Sequence, residues 1–395
     1  MSRPAREFKL DKNMLDLYCD YLITSFGTTT ATGSGELLGI SNDSVSRFLG
    51  GIKFDRGGKS FAKNELTSKD LWGVVKSTIR ADECEEGCLV IDDTVEEKTS
   101  SDENDVVCWH YDHCSSRNIK GINLLNFLYL GQKFCTPIAF EVIKKTEKYL
   151  ETKIDQIDPK TGKEKVVEKR KSKTTKNEMA QFHIAQICKN QVKFRYVLMD
   201  TWFACNETLE LINRHHKYYV VPLKSNRKLT TSKESKLKGK WIKLDNLELN
   251  QQLENTNHPI EIWLEGLDHS VLLTKQIFTN KDGSIGVMYF ITNDKSKLTQ
   301  DKSEIYNIYQ KRWKIEEFHK SIKSNLGFSK SPTKTPTTQI NHFFCSIYSY
   351  LKLEALTKST KLKNHFQLKA TLYAKAIQSA HQELIRLKLG VPCER

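Results

Sequence analysis

The chain has 395 residues, enough for two or three domains with cores of their own. Its 62 Lys and Arg exceed its 48 Asp and Glu, a formal net charge of +14, which favours a polyanionic partner, nucleic acid ahead of a membrane surface. No apolar run reaches the roughly 18 residues of a membrane span, and the opening Met-Ser-Arg-Pro-Ala-Arg-Glu lacks the apolar centre of a secretory signal. A cytosolic chain is expected, and its 10 cysteines should be reduced and mostly buried. Cys84 and Cys88, with the run Cys108 to Cys114 that includes His110 and His113, are poorly spaced for a tetrahedral zinc site.

Residues 1–85 read as a helical, helix-turn-helix-like DNA-binding domain. Met14, Leu15, Leu17, Tyr18, Leu22 and Ile23 recur at helical intervals. Further on, Gly39 marks a turn, and Ser41 or Asn42 can cap a second helix holding Val45, Phe48 and Leu49. Its polar positions, Asn42, Ser44, Ser46 and Arg47, suit phosphate or base-edge contacts. A plain helical hairpin is the competing reading. A third helix, 67–79, follows a glycine pair at Gly57 and Gly58.

From about residue 86 the pattern changes. Cys88 to Ile91 is a short apolar run that ends in Asp92 and Asp93, as a buried strand with acids at its tip would. A polar stretch with His110, Asp112, His113 and Arg117 could line a site, although a surface loop explains it equally well. Strand-like runs follow at 121–129 and 136–142. Residues 151–176 carry 14 charged side chains in 26 and read as a solvated or mobile excursion. After a helix at 177–190, a strand at 193–199 ends in Asp200, and a helix follows at once. Short β-branched and aromatic runs between 218 and 292 suggest a mostly β insertion. Helices resume from 301, and again at 339–357 and 368–387.

The stretch 309–323 has helical period. Ile308, Ile315, Phe318 and Ile322 form an apolar stripe. Tyr309, Arg312, Glu316, Lys320 and Lys323 share a neighbouring face, so Glu316 stands within a turn or two of three cations. Alone this is a salt-bridged amphipathic helix, and a strand-terminal Asp alone is a cap or turn residue. Together, Asp93 (with Asp92 as the fallback), Asp200 and Glu316 form a carboxylate set suited to Mg²⁺ or Mn²⁺. Two such ions could activate a nucleophile and stabilise the leaving oxygen in phosphodiester cleavage.

The spacing Tyr309-x2-Arg312-x3-Glu316-x6-Lys323, the acid-Asp-Thr of Asp92-Asp93-Thr94 and the strand-Asp-helix at Asp200 resemble the bacterial insertion-sequence DDE transposases of the insertion-sequence-four superfamily. The likeness runs from about 88 to 330. It implies an α/β fold: an RNase H-like catalytic core with a β-rich insertion, beside the N-terminal helical DNA-binding domain. The implied division is 1–85, 86–217 (first part of the core), 218–300 (insertion), 301–332 (the helix with the catalytic Glu) and 333–395 (helical).

It also implies cut-and-paste transposition, with metal-dependent cleavage at transposon ends and strand transfer by the freed 3′-OH. Asp93, Asp200 and Glu316 would be catalytic and hold two Mg²⁺ or Mn²⁺ ions. Tyr309, Arg312, Lys320, Lys323 and Arg47 would contact DNA. The implied partners are double-stranded DNA, as inverted-repeat ends and target, and a second copy of the chain; the implied setting is a bacterial cytoplasm, at the nucleoid. Some members hold a flipped base with a Trp of the insertion; Trp241 and Trp263 occupy that region, where a core role suits each better. The alternatives are a cleavage-inactive repressor or domesticated derivative, and an RNA-binding protein whose acids are only caps.

Overall fold

The computed structural model describes residues 10–51, 64–112, 115–157, 164–245, 247–280 and 282–389. Gly57, Gly58, His113 and Cys114 lie outside the described residues. The chain forms two compact units: Met1–Val74, Glu96–Val107 and Glu317–Arg395 make the first, Val75–Val95 and Cys108–Glu316 the second.

The first unit is helical. Helix α1 (Lys12–Thr24) starts where the Asp11 carboxylate accepts from the Met14 N–H, and it buries Leu15, Tyr18, Leu22 and Ile23. It packs against α11 (Pro336–Ser359), a helix buried along most of its length up to Leu353. There the Tyr18 hydroxyl meets His342 Nδ1 at 2.9 Å, and His342 Nε2 meets the Gly327 carbonyl at 2.9 Å. Burial pulls the His342 pKa down to about 4, so the ring stays neutral in this buried bridge.

Helices α2 (Ala31–Leu38) and α3 (Asn42–Leu49) pack on each other through a tight turn. Gly39 ends α2 at φ 63°, a left-handed conformation that glycine adopts without a Cβ penalty. Gly35 is needed for close approach, since a Cβ there would meet the Ile40 carbonyl oxygen at 2.7 Å. Two short helices joined by a tight turn therefore stand at 31–49, a geometry that the helix-turn-helix and the plain hairpin readings share. The last helix of the unit is α12 (His365–Lys388).

The second unit is built on one mixed sheet. Its strands are β1 (Cys88–Glu97), β2 (Cys108–Asp112), β3 (Arg117–Leu130), β4 (Cys135–Val142), β7 (Tyr196–Met199), β8 (Tyr218–Leu223), β9 (Lys228–Thr230), β10 (Ile242–Lys243), β11 (Ile260–Leu264), β12 (Ser270–Thr279) and β13 (Ile285–Thr292). The order is β10-β9-β11-β12-β13-β8-β7-β1-β3-β2, with β4 on β3. β1, β7 and β8 run parallel in the middle, and hairpins extend the sheet on either side. Leu89, Val90, Ile91, Val197, Leu198 and Met199 are all fully buried, which is why these central strands read as continuous apolar runs. Helices α4 (Ser68–Asp82), α5 (Lys176–Lys189), α6 (Asn206–Arg214), α7 (Lys233–Leu237), α8 (Leu247–Asn255), α9 (Ser303–Gln310) and α10 (Trp313–Asn325) complete the order; α4 and α10 each run from one unit into the other.

Three sequence expectations change. The strands of 218–300 continue the central sheet, since β8 pairs with β7 on one side and β13 on the other. The charged excursion is a two-stranded ribbon, β5 (Glu147–Ile157) with β6 (Glu164–Lys171). Cross-strand pairs such as Lys148 with Glu168, and Glu151 with Lys169, organise it where no apolar pattern could. The helix expected across 309–323 is two helices. Lys311 and Arg312 form a tighter joint between α9 and α10, each N–H reaching back three residues, to the Ile308 and Tyr309 carbonyls.

Candidate active site

The site starts from two parallel strands. β1 and β7 pair with Ile91 opposite Met199, so one step further along each strand sets Asp92 beside Asp200. Successive strand residues point to opposite faces. Asp92 and Asp93 therefore serve different neighbourhoods, and the contacts bear this out.

On one face, Arg312 donates from Nη1 to Asp92 Oδ2 at 2.8 Å and to Glu316 Oε1 at 3.2 Å. The joint before α10 carries Arg312, and the first turn of α10 carries Glu316. Ile315, Phe318 and Ile322, all fully buried, hold this helix down, as the apolar stripe anticipates. Asp200 is exposed, and its Oδ1 accepts from the Thr201 N–H at 2.6 Å. Tyr309 is only 9% exposed and lies near enough to Asp92 and Asp200 for both carboxylates, after burial, to raise its phenol pKa. Arg312 sits 5.7 Å from the Tyr309 ring.

On the other face, Asp93 Oδ2 accepts from Asn123 Nδ2 at 2.9 Å and from Lys176 Nζ at 3.0 Å. Lys176 opens α5 behind a Thr175–Glu178 capping box, and its ammonium lies 5.4 Å over the exposed Trp202 ring.

Burial raises the Asp92 pKa to about 7; the Arg312 charge opposes this, and Glu316 and Asp93 reinforce it. A carboxyl this far above its ordinary value, with a second acid beside it, is a site short of positive charge. Asp92 and Glu316 each offer a carboxylate oxygen, the two within 4.8 Å of one another.

Two family models match the chain: a Transposase DDE domain over residues 156–351 and a DDE superfamily endonuclease over 58–252. These matches support a DDE transposase. The first match contains Asp200 and Glu316, the second contains Asp92, Asp93 and Asp200, and they overlap on Asp200. The search of curated proteins gave no match. The mixed sheet with its helices is consistent with a DDE, RNase H-like nuclease fold.

DDE enzymes use divalent metals, and the donor set here fits one. Asp92 and Glu316 offer the hard oxygens such ions prefer, and Asp200 leaves one carboxylate oxygen without a local N–H bond in the Thr201 turn.

The remaining expected residues stand elsewhere. Lys320 Nζ lies 5.2 Å over the Phe366 ring, and Lys323 is half-buried in the last turn of α10. Arg47 is exposed on α3. Trp263 is half-buried within β11, paired with Ser270, and Trp241 precedes β10. His110 is buried on β2, its pKa pulled down to about 3 by burial and by Lys145 and Lys176, so it is a neutral ring. Asp112 accepts from Ser115 Oγ and pairs in register with Arg117. No helix among the described residues is long and apolar enough to cross a membrane. The sequence reading missed Asn123 and Lys176, and nothing local marks either.

Proposed function

We propose that the chain is a cut-and-paste DNA transposase that cleaves transposon ends and joins them to target DNA, with Asp92, Asp200 and Glu316 holding one or two Mg²⁺ or Mn²⁺ ions. The observation that carries this reading is the convergence of Asp92 and Glu316 on Arg312, one residue beyond the pairing of Ile91 with Met199, after which β7 ends and Asp200 follows. Asp93, the first choice from sequence, stands with Lys176 and Asn123 instead, which favours Asp92 as the ligand.

A bound ion would act as a Lewis acid, activating water or a 3′-hydroxyl and neutralising charge on the leaving oxygen. The protein supplies the rest. Arg312 is held by two carboxylates, and a metal there would release its guanidinium for the scissile phosphate, for which its planar fork is suited. Tyr309, buried beneath, fixes the Arg312 side chain through its ring. The net charge of +14 supplies non-specific attraction to duplex DNA, and α3 with Arg47 is the candidate reader of the ends. Lys320 and Lys323 extend the basic side of α10 for further phosphate contacts.

The test is end nicking and strand joining on DNA carrying the element's own termini, with Mg²⁺ or Mn²⁺ and with chelator. Loss of both reactions in Asp92→Asn, Asp200→Asn and Glu316→Gln supports the proposal. Full activity in all three, or in chelator, would sink it. Retained end binding without any cleavage by the wild-type chain would favour a repressor.

A further inference from the structure

We propose that the second DNA of the joining reaction enters from the side of the β5–β6 ribbon, whose basic root holds its phosphates. The identity of that DNA as target rests on the function proposed above; the surface itself rests on charge and register. Where the chain enters and leaves the ribbon, at 144–148 and 169–176, it carries eight Lys and Arg and one acid, Glu147. The two strands form a sheet of their own, apart from the central one. So dense a cationic run costs self-repulsion, and a polyanion relieves it.

Antiparallel register decides which cations share a face. Lys148 stands directly opposite Arg170, Tyr149 opposite Lys169 and Glu147 opposite Lys171. Lys148 and Arg170 therefore share one face, and Lys169 and Lys171 the other, about 7 Å apart along their strand. Like charges directly opposite each other are unfavourable in a sheet. Glu168 serves both: it pairs with Lys148 at 2.8 Å, and Lys148 and then Arg170 hold its pKa below the ordinary value. On the other face Glu151 pairs with Lys169, and Glu147 with Lys171 at 3.6 Å. Every side chain in these three bridges is at least 40% exposed, where an ion pair contributes little and exchanges for a phosphate at small cost. Lys173, past the end of β6, is exposed as well.

Lys176 joins this surface to the site. Its ammonium reaches Asp93 at 3.0 Å and lies over Trp202, two residues past Asp200. From the entering side, Lys145 donates to the Trp109 carbonyl at 2.6 Å, and Lys145 and Lys176 both act on His110. Both ends of the ribbon thus converge beside β2. Arg312 and Glu316 reach Asp92 from the other face of β1, so the ribbon side is a second approach to the same group of acids. Joining needs two approaches, because one DNA carries the 3′-hydroxyl and another the phosphate it attacks. The root also suits a partner of any sequence. Phosphate contacts carry no base information, and neither 144–148 nor 169–176 has an Asn or Gln, the adenine readers.

The test uses the full chain and a random-sequence DNA duplex. Lys148→Ala, Arg170→Ala and Lys173→Ala together should weaken binding at least tenfold in about 0.1 M salt and reduce the slope of log affinity against log salt by about 2–3. Lys224→Ala, Lys228→Ala and Lys243→Ala, an equal loss of charge around β9 and β10, should change the slope by less than about 1. With pre-cut ends, the ribbon variant should join with a raised KM for target and recover at high target concentration. An unchanged slope, an equal loss in the control, or a joining defect that no target concentration restores would each overturn the inference. Amine acylation of the wild-type chain covers a variant that fails to fold. Random duplex should protect Lys169, Lys171 and Lys173 and leave Lys228 and Lys243 labelled; equal labelling with and without DNA would overturn the ribbon's role. A wild-type chain that neither nicks nor joins overturns the target assignment together with the transposase reading, and the slopes still decide whether the root holds DNA.

Discussion

Arg312 Nη1 donates to Asp92 Oδ2 across 2.8 Å, joining the start of α10 to the middle of β1 over 220 residues of sequence. The guanidinium stands where a cation is most wanted, between Asp92 and Glu316, and both partners are less than half exposed. Arg312 is thus the internal counter-ion of the acid pair. Replacing it exposes what the pair costs. Arg312→Ala should lower the stability of the metal-free protein by about 1–3 kcal/mol at pH 8, measured by urea unfolding. The loss should shrink at pH 6, where Asp92 takes up a proton instead. Mn²⁺ should stabilise this variant more than the wild type; equal stabilisation would mean that Arg312 and the metal do not share a site.

The two adjacent aspartates separate cleanly in a cleavage assay. Asp92→Asn and Glu316→Gln should each reduce end nicking by on the order of 10³-fold, the scale of losing a group that organises transition-state charge. Asp93→Asn should cost far less, about tenfold, because its partners are Lys176 and Asn123 on the other face. The reverse ranking would return the catalytic role to Asp93.

The raised Asp92 pKa gives a pH dependence with a definite sign. Its folded value of about 7 exceeds its ordinary value of 3.8, so the folded chain binds this proton more tightly than the unfolded chain. The resulting stability is complete below about pH 4 and is lost as pH rises towards 7. Metal competes for the same oxygen, so adding Mn²⁺ to the metal-free protein at pH 6 should release protons, and at pH 8 release close to none. Asp92→Asn should abolish the release at pH 6. An unchanged release would assign the proton to another group.

Asp82 holds the turn between β3 and β4, accepting from the Lys133 N–H at 2.8 Å and the Phe134 N–H at 2.9 Å. It is only 4% exposed, and two part-buried turn N–H groups depend on it. Asp82→Ala should lower stability by about 2–3 kcal/mol. Gly131→Ala should destabilise as well, because a Cβ there would stand 2.1 Å from Asp82 Oδ2. Thermal unfolding of both variants, with Lys133→Ala as the surface control, checks the assignment.

Arg47 on α3 tests the proposed reader helix. Arg47→Ala should weaken binding to terminal-repeat DNA several-fold and reduce the slope of log affinity against log salt by about 1 if the contact is a phosphate. A preserved slope with relaxed sequence preference would mark a base contact instead.

Much of the site is legible in the order and spacing of its residues. Apolar runs ending in Asp at 92–93 and 200 form the buried central strands, because burial on both faces leaves no room for alternation. The stripe of Ile315, Phe318 and Ile322 forms the buried side of α10. The joint at Lys311–Arg312 is not legible in this way, since helical period continues across a short 3₁₀ turn. Nor is the ribbon at 147–171, because ion pairs between strands leave no apolar pattern to read.

By itself the sequence determined the kinds of residue the site requires and their order: two acids after buried apolar runs, a third on a late helix, and an Arg one turn before it; that β1 runs on past Asp92 and Asp93 to Glu97 it did not. Only the tertiary structure decided between Asp92 and Asp93. Neighbours on a strand are chemically identical in text and lie on opposite faces in space, so the choice rests on register with β7 and on which face Arg312 and Glu316 reach.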